Sequence, residues 1–235
     1  MRKRLLVFWT AFNSYQSARL LRDKPPGTVH PVRTVGWTVQ RVNLFARYNL
    51  PSILGQVHSD FLYVVLLDPA LRHLTDPRLP ILRDERVVYC YEDGPVLDHL
   101  RPYDEIVLAL IDNDDMYSRT AGALMMGCPA EWMYFKRGYA LDARRGRFYG
   151  YDTIGSGPFF AHLLDPKTLV CFDRDKRHPT HKAVIDAKPW ELAAGQFCVL
   201  IHDSNTSSSL RMRYVKGFIS DPAGIAKRFS MGAIR

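Results

Sequence analysis

The chain has 235 residues, 47% hydrophobic and 24% charged, proportions that suit one folded domain and exclude a low-complexity or disordered chain. Lys and Arg outnumber Asp and Glu by 32 to 24, a formal +8, which favours anionic partners without choosing among nucleotide phosphates, nucleic acid and an anionic membrane face. No apolar run approaches the ~20 residues that cross a bilayer, so the expectation is a soluble, cytoplasmic protein with at most peripheral membrane association.

Arg2-Lys3-Arg4 and the run Leu5 to Trp9 superficially suggest a signal peptide. The apolar run is too short and no clean cleavage site follows, so a first buried strand from Arg4 to Trp9 is expected, ended by a polar loop, Thr10 to Ser17. Residues 22–37 carry Pro25, Pro26, Gly27, Pro31 and Gly36 and read as loop. Thr38 is expected to cap a helix from Val39 to Tyr48 with Val42, Phe45 and Ala46 inward, and Pro51 to restart a short turn, Ser52 to Gln56. Phe61 to Leu67 is the clearest buried strand and ends at Asp68-Pro69; a proline-bearing helical stretch follows. Arg86 to Tyr91 reads as a third strand closed by Asp93-Gly94-Pro95, and Glu105 to Ile111 as a fourth that runs into Asp112. A helix from Ser118 to Met126 comes next.

Strands apolar on both faces and alternating with helices indicate an α/β fold with a mostly parallel central sheet. Ligands in such sheets gather at the carboxyl ends of the strands, which places Asp68, Asp93 and the Asp112 cluster on one rim. The second half is richer in aromatics and turns. Glu131 to Phe135 and Arg147 to Tyr151 read as a hairpin or meander, Gly155 to Pro158 as a loop, and Phe197 to Ile201 as a late strand ending at His202-Asp203-Ser204-Asn205. Trp132, Tyr134, Phe135, Tyr139, Phe148, Tyr149 and Tyr151 are read mostly as core, with a sugar-stacking platform as the alternative. The chain is thus divided into 1–127, 128–209 and a basic, weakly amphipathic tail over 210–235, all within a single domain.

Cys90, Cys128, Cys171 and Cys198 are widely spaced without a CxxC pair, which argues for buried reduced thiols rather than a zinc site. GxSxG, Walker A and GxGxxG patterns are absent. The feature that carries chemistry is Asp112-Asn113-Asp114-Asp115, where three carboxylates in four residues repel one another unless a cation or solvent screens them. Hard oxygen ligands suit Mg²⁺ or Mn²⁺, which complete their shells with phosphates and water. The bland alternative is an acidic turn capping a helix near Tyr117. His202, at the end of an apolar strand, offers a further ligand for Mn²⁺ or is an ordinary loop histidine; His178 and His181 lack two-His zinc spacing, and an imidazole there suits a general base.

Arg41-x-x-Leu44-Phe45, Leu50-Pro51-Ser52-Ile53 with Gln56, Asp60-Phe61 and the strand to Asp68 resemble the opening of the rhamnosyltransferase-like family of GT-A glycosyltransferases. Asp112 to Asp115 resembles that family's DxDD motif; Arg137-Gly138-Tyr139, His181-Lys182 and His202-Asp203-x-Asn205-x-Ser207 resemble later motifs, in the same order over residues 41–208.

The resemblance implies a GT-A-like, Rossmann-type nucleotide-sugar half over 1–127 and a smaller mixed or antiparallel acceptor side over 128–209. It further implies Asp114 as principal metal ligand with Asp115 in support, and Asp112 facing the ribose or the metal's water shell. Asp68 would contact the nucleobase, Thr10 and Asn13 would line the nucleotide pocket, and Arg41 would meet a phosphate or pack across its helix. The expected activity is transfer of a sugar from a nucleotide-diphosphate-sugar donor to a glycan, lipid-linked or other hydroxyl acceptor, with Mn²⁺ or Mg²⁺. His181 is the expected base, with Asp152 or Asp203 as substitutes. Two rivals stand beside it: a non-catalytic nucleotide-sugar or glycan-binding domain, and a metal-dependent nuclease or phosphotransferase. Nucleic acid is not the expected partner.

Overall fold

The computed structural model describes residues 2–13, 34–81, 83–153, 159–169, 172, 188–202 and 214–231. The Gly155 to Pro158 loop, His178, His181, Cys171 and Asp203 to Ser207 lie outside the described residues. The protein is α/β, with two mixed sheets and several helices.

Four parallel strands form the heart of the larger sheet: β1 (Arg4–Ala11), β2 (Phe61–Leu66), β3 (Val87–Cys90) and β4 (Glu105–Leu110), in the order β4-β1-β2-β3. Their apolar runs are continuous because both faces are covered. Leu6, Phe8 and Phe12 join Tyr63, Val65, Val107 and Ala109 in a core on one face. Leu5, Val7 and Trp9 join Leu62, Val64, Leu108 and Leu110 on the other. Each such side chain contributes about 1.5–3 kcal/mol of burial before chain entropy is counted. Beyond β4 the sheet turns antiparallel through β9 (Phe160–Leu164) and β6 (Trp132–Tyr134), with β10 (Trp190–Glu191) at the edge. Because β1, β2, β3 and β4 run the same way, Asp68, Asp93 and Asp112 follow strands that end on one rim, as the pattern predicts.

The smaller sheet has the order β12-β8-β7-β11-β5, built from β5 (Met116–Tyr117), β7 (Arg137–Asp142), β8 (Arg147–Asp152), β11 (Phe197–Ile201) and β12 (Val215–Phe218). Alternate residues of β11 serve two cores: Phe197 and Val199 face the larger sheet, while Cys198 and Leu200 face Ile225 and Phe229. The predicted pairing of the aromatic segments is corrected: Trp132 to Tyr134 belongs to the larger sheet, and the hairpin is β7 with β8. The C-terminal segment supplies β12 and a helix, and Ile225 within the helix and Phe229 just after it are buried, so the segment takes part in the fold.

Helix α1 (Val35–Leu44) begins earlier than the pattern suggests. Thr34 is its cap, its hydroxyl accepting from Trp37 N, while the Thr38 hydroxyl donates back to Thr34 O at 3.0 Å. A π turn, Phe45–Asn49, links it to α2 (Leu50–Leu54), with Leu50 N bonded to Phe45 O. Pro51 explains the widening: its ring lacks the N–H that would pair with Arg47 O and crowds that carbonyl. Asp93-Gly94-Pro95 opens α4 (Asp93–Leu100), where the sequence suggested only a turn, after the short α3 (Arg72–Thr75). α5 (Ala121–Gly127) starts after the two-residue β5, so the acidic turn does not cap it. The C-terminal helix is α6 (Pro222–Arg228). Cys90, Cys128 and Cys198 are buried free thiols, and among the described residues no helix is long and apolar enough to cross a membrane.

Candidate metal centre

The acidic turn leaves the end of β4 and folds back at once, with Asp115 N donating to Asp112 O at 3.0 Å. Three polar side chains fix it. Asn113 Nδ2 donates to Phe12 O at 2.9 Å and ties the turn to the end of β1. Asn49, the last residue of the π turn, donates from Nδ2 to Asp112 O and to Asp115 O, each at 2.9 Å. The Tyr63 hydroxyl donates to Asn49 Oδ1 and so sets the amide's orientation. Burial, and then the neighbouring Tyr89, push the Tyr63 phenol far above its ordinary value, so it remains a donor.

This scaffold brings the carboxylates together. One oxygen from each of Asp112, Asp114 and Asp115 lies within 4.8 Å of the others. Asp114 is 1% exposed and Asp115 fully buried, while Asp112 is half-buried. The cluster therefore differs from a solvated acidic face, where water would screen the repulsion. Its field reaches its neighbours: burial first, then Asp115 and Asp112, raise the Tyr117 phenol, and burial followed by Asp115 raises the Cys198 thiol.

Among the described residues two further groups join the cluster. Arg41 Nη1 lies 2.7 Å from Asp114 Oδ2, and His202 Nε2 lies 2.8 Å from the same oxygen. The Arg41 nitrogen is 3.3 Å from His202 Nε2. A guanidinium only donates, so these two nitrogens cannot both be donors to each other. The shorter distance favours an Nε2–H donating to Asp114, with the Arg41 contact a close approach beside it. Asp115 Oδ1 meanwhile accepts from Leu200 N at 2.9 Å and couples the turn to β11. The outcome for Arg41 is specific: it pairs with the carboxylate read as the principal metal ligand, while its guanidinium stands 5.5 Å from the Trp37 ring centroid.

Asn13 and Asp68 lie together on the same rim, Asn13 Oδ1 accepting from Asp68 N at 2.8 Å. The Asp68 carboxylate accepts from Ala70 N at 2.9 Å and caps the following 3₁₀ turn. Thr10 is fully buried within β1 beside the Tyr63 phenol, so it supports the rim from below. Asp93 Oδ2 accepts from Phe172 N. Asp152 is not brought to the cluster: in the β7–β8 hairpin it pairs with Arg137, whereas β11 ends against Asp142 at the other end of β7. Five residues of strand separate those ends, about 17 Å. His181 and Asp203 lie outside the described residues.

Two contributors escaped the sequence reading. Asn49 is a buried amide among apolar neighbours just before Pro51, a pattern that signals a local hydrogen-bonding duty. Arg144, Arg145 and Arg147 sit at the β7–β8 turn, on the end of the sheet where Ala143 N bonds to Ile201 O next to His202. Their near-contiguity in the sequence was the available clue. Compared with known proteins, the chain matches no protein-family model and no curated sequence.

Proposed function

We propose that this chain is a metal-dependent glycosyltransferase in which Asp112, Asp114, Asp115 and His202 hold Mn²⁺ or Mg²⁺ against the diphosphate of a nucleotide-sugar donor. The observation that carries the reading is the convergence of three carboxylates, two of them buried, on the carboxyl rim of a parallel sheet. Among the described residues Arg41 is the guanidinium paired with the three carboxylates, and a cluster so rich in carboxylate oxygen suits a divalent cation. Carboxylate oxygens with one imidazole nitrogen fit a hard or borderline dication. A GT-A-like arrangement and the rhamnosyltransferase-like resemblance are parts of the same proposal.

A cation so held supplies Lewis acidity to the departing diphosphate. The chain's own residues do the rest. Asn49 and Asn113 fix the turn so that the carboxylates need no reorganisation. Arg41 and the β7–β8 turn add positive charge near the same end of β11, where the charge of a diphosphate develops. Asp68 and Asn13 offer a second, polar patch along the rim for a base or ribose. The base that takes the acceptor's proton is proposed as His181 or Asp203, and Asp152 is the weakest of the three by position.

A second reading draws on the Arg41–Asp114–His202 contact itself. A guanidinium already occupies the carboxylate oxygen, so the cluster is equally built as a buried ion pair locking the two sheets in a non-catalytic nucleotide-sugar or glycan-binding domain. A panel of nucleotide sugars, each incubated with the protein with and without Mn²⁺, separates the readings. Metal-dependent release of nucleoside diphosphate from one donor is expected. Metal-independent thermal stabilisation by a donor, with no turnover, would favour the binding domain.

A further inference from the structure

A second cavity, of about 480 Å³, lies where the end of α2, the β5–α5 turn, the turn before β11 and α6 meet. Its lining carries Arg119, Lys227 and Arg228 together with Ser118, Thr120 and Gln196 and, among the described residues, no carboxylate. Among the described residues none of the three cations forms an ion pair, although the same fold pairs Arg2, Arg4, Arg41, Arg86 and Arg145 with acids.

Backbone hydrogen bonds hold the walls of the cavity together, and the three cations project from them as exposed side chains. Val57 N donates to Arg119 O at 2.7 Å, Arg119 N to Arg228 O at 2.8 Å, and Ser118 N to Gln196 O at 2.8 Å. Two glycines permit the approach. A Cβ on Gly55 would strike Ser230, just past α6. Gly195 has φ +79°, and a Cβ there would stand 3.0 Å from Arg228 Nη1 and 3.2 Å from the Tyr139 hydroxyl. Both hydroxyls, Ser118 and Thr120, donate to Gln196 Oε1. That fixes the amide with its Nε2 as the donor end, giving one hydrogen to Ala194 O and keeping a second. The C-terminal dipole of α6 offsets only about half a charge, leaving the cavity strongly positive.

Three cations without an ion pair among the described residues, with an oriented amide donor beside them, are the complement of an oxygen-rich dianion. We infer that this cavity binds a phosphate group, carried either by a small phosphate ester or by the headgroup of an anionic lipid; Val57, 61% exposed at its lip, is placed to touch acyl chains in the second case. This site does not depend on the metal centre, and its test needs neither a metal nor a sugar donor.

The test uses the full chain in metal-free buffer. Thermal shift with inorganic phosphate reads the small-ligand source, and co-sedimentation with phosphatidylglycerol vesicles, against phosphatidylcholine vesicles, reads the lipid source. Replacing all three cations, Arg119→Gln with Lys227→Gln and Arg228→Gln, is expected to weaken the binding about a hundredfold. Lys227→Glu alone, at an exposed side chain, is expected to weaken it roughly tenfold or more without disturbing the fold. Phosphate stabilisation lost in the variants assigns a soluble ester, and phosphatidylglycerol binding lost in the variants assigns a headgroup. Absence of both in the wild type, or binding retained in Lys227→Glu and the triple variant alike, overturns the proposal.

Discussion

The two ends of the larger sheet both carry acids, and they treat them in opposite ways. At the amino ends Glu105 meets Arg2 and Arg4, each at 2.7 Å, beside an open groove lined also by Asp104, Glu131 and Asp165. Arg2 is largely exposed, so water screens its contact, while Arg4 holds Glu105 more firmly through Nε and Nη2. At the carboxyl ends Asp114 and Asp115 are buried, and each is held by groups far away in sequence. Burial of these carboxylates carries a desolvation cost, against which Arg41, His202 and the Leu200 N–H set their contacts. The acids at the amino ends sit beside an open groove, whereas those at the carboxyl ends are fixed by contacts from distant parts of the chain.

The sharpest way to break that comparison is Asp114→Ala. It strands the Arg41 guanidinium, whose side chain is only 12% exposed, and is expected to cost about 3–5 kcal/mol in urea unfolding. The same coupling makes Asp114 a poor choice for testing metal binding, since loss of ligand and loss of fold would coincide. Arg41→Gln comes next. It removes the resident positive charge and is expected to lower the metal-free stability by about 3 kcal/mol, with part of the loss restored by Mn²⁺. No restoration in that variant would favour the buried-ion-pair reading. Tyr63→Phe removes the hydroxyl that orients Asn49 and should cost about 1 kcal/mol while leaving secondary structure by circular dichroism unchanged.

Smallest is Glu105→Gln. Hydrogen bonds from Arg4 and then Arg2 hold the Glu105 carboxyl below its usual value of 4.5. A carboxyl whose pKa is depressed in the folded state stabilises above its unfolded value, and loses that contribution as pH falls through the folded one. The wild type should therefore exceed the variant by less than about 1 kcal/mol at neutral pH, with the gap closing below the usual carboxylate range. A gap that widened on acidification would contradict the assignment.

How much of this was legible depended on where the physical signal was local. β1, β2 and β4 are continuous apolar runs, and Asp112 stands where one of them stops, so the rim and the acidic turn were readable from the residues. β5 has two residues and β9 is interrupted by His162, so neither displays a period. Thr34 and Thr38 compete as caps four residues apart, and only the direction of the Thr38 hydroxyl decides between them. The partners of the cluster were beyond local pattern. Arg41 and Asp114 are 73 residues apart, Asp114 and His202 are 88 apart, and their meeting follows from how two sheets pack. Asp152 shows the reverse: a plausible acid near the end of a strand, carried by antiparallel pairing to the far end of the hairpin.

Asp112 is the least buried of the three carboxylates, and Asn49 holds it through its backbone oxygen, so Asp112→Asn keeps that hydrogen bond. Mn²⁺ titration by calorimetry of the wild type and Asp112→Asn, with metal-free melting recorded for both, measures the cluster directly. We predict one Mn²⁺ bound by the wild type and affinity lost in Asp112→Asn, with a cooperative metal-free melting transition kept in the variant. A wild type that takes up no Mn²⁺, or a variant that binds it as tightly, would show that these carboxylates were not assembled for a metal.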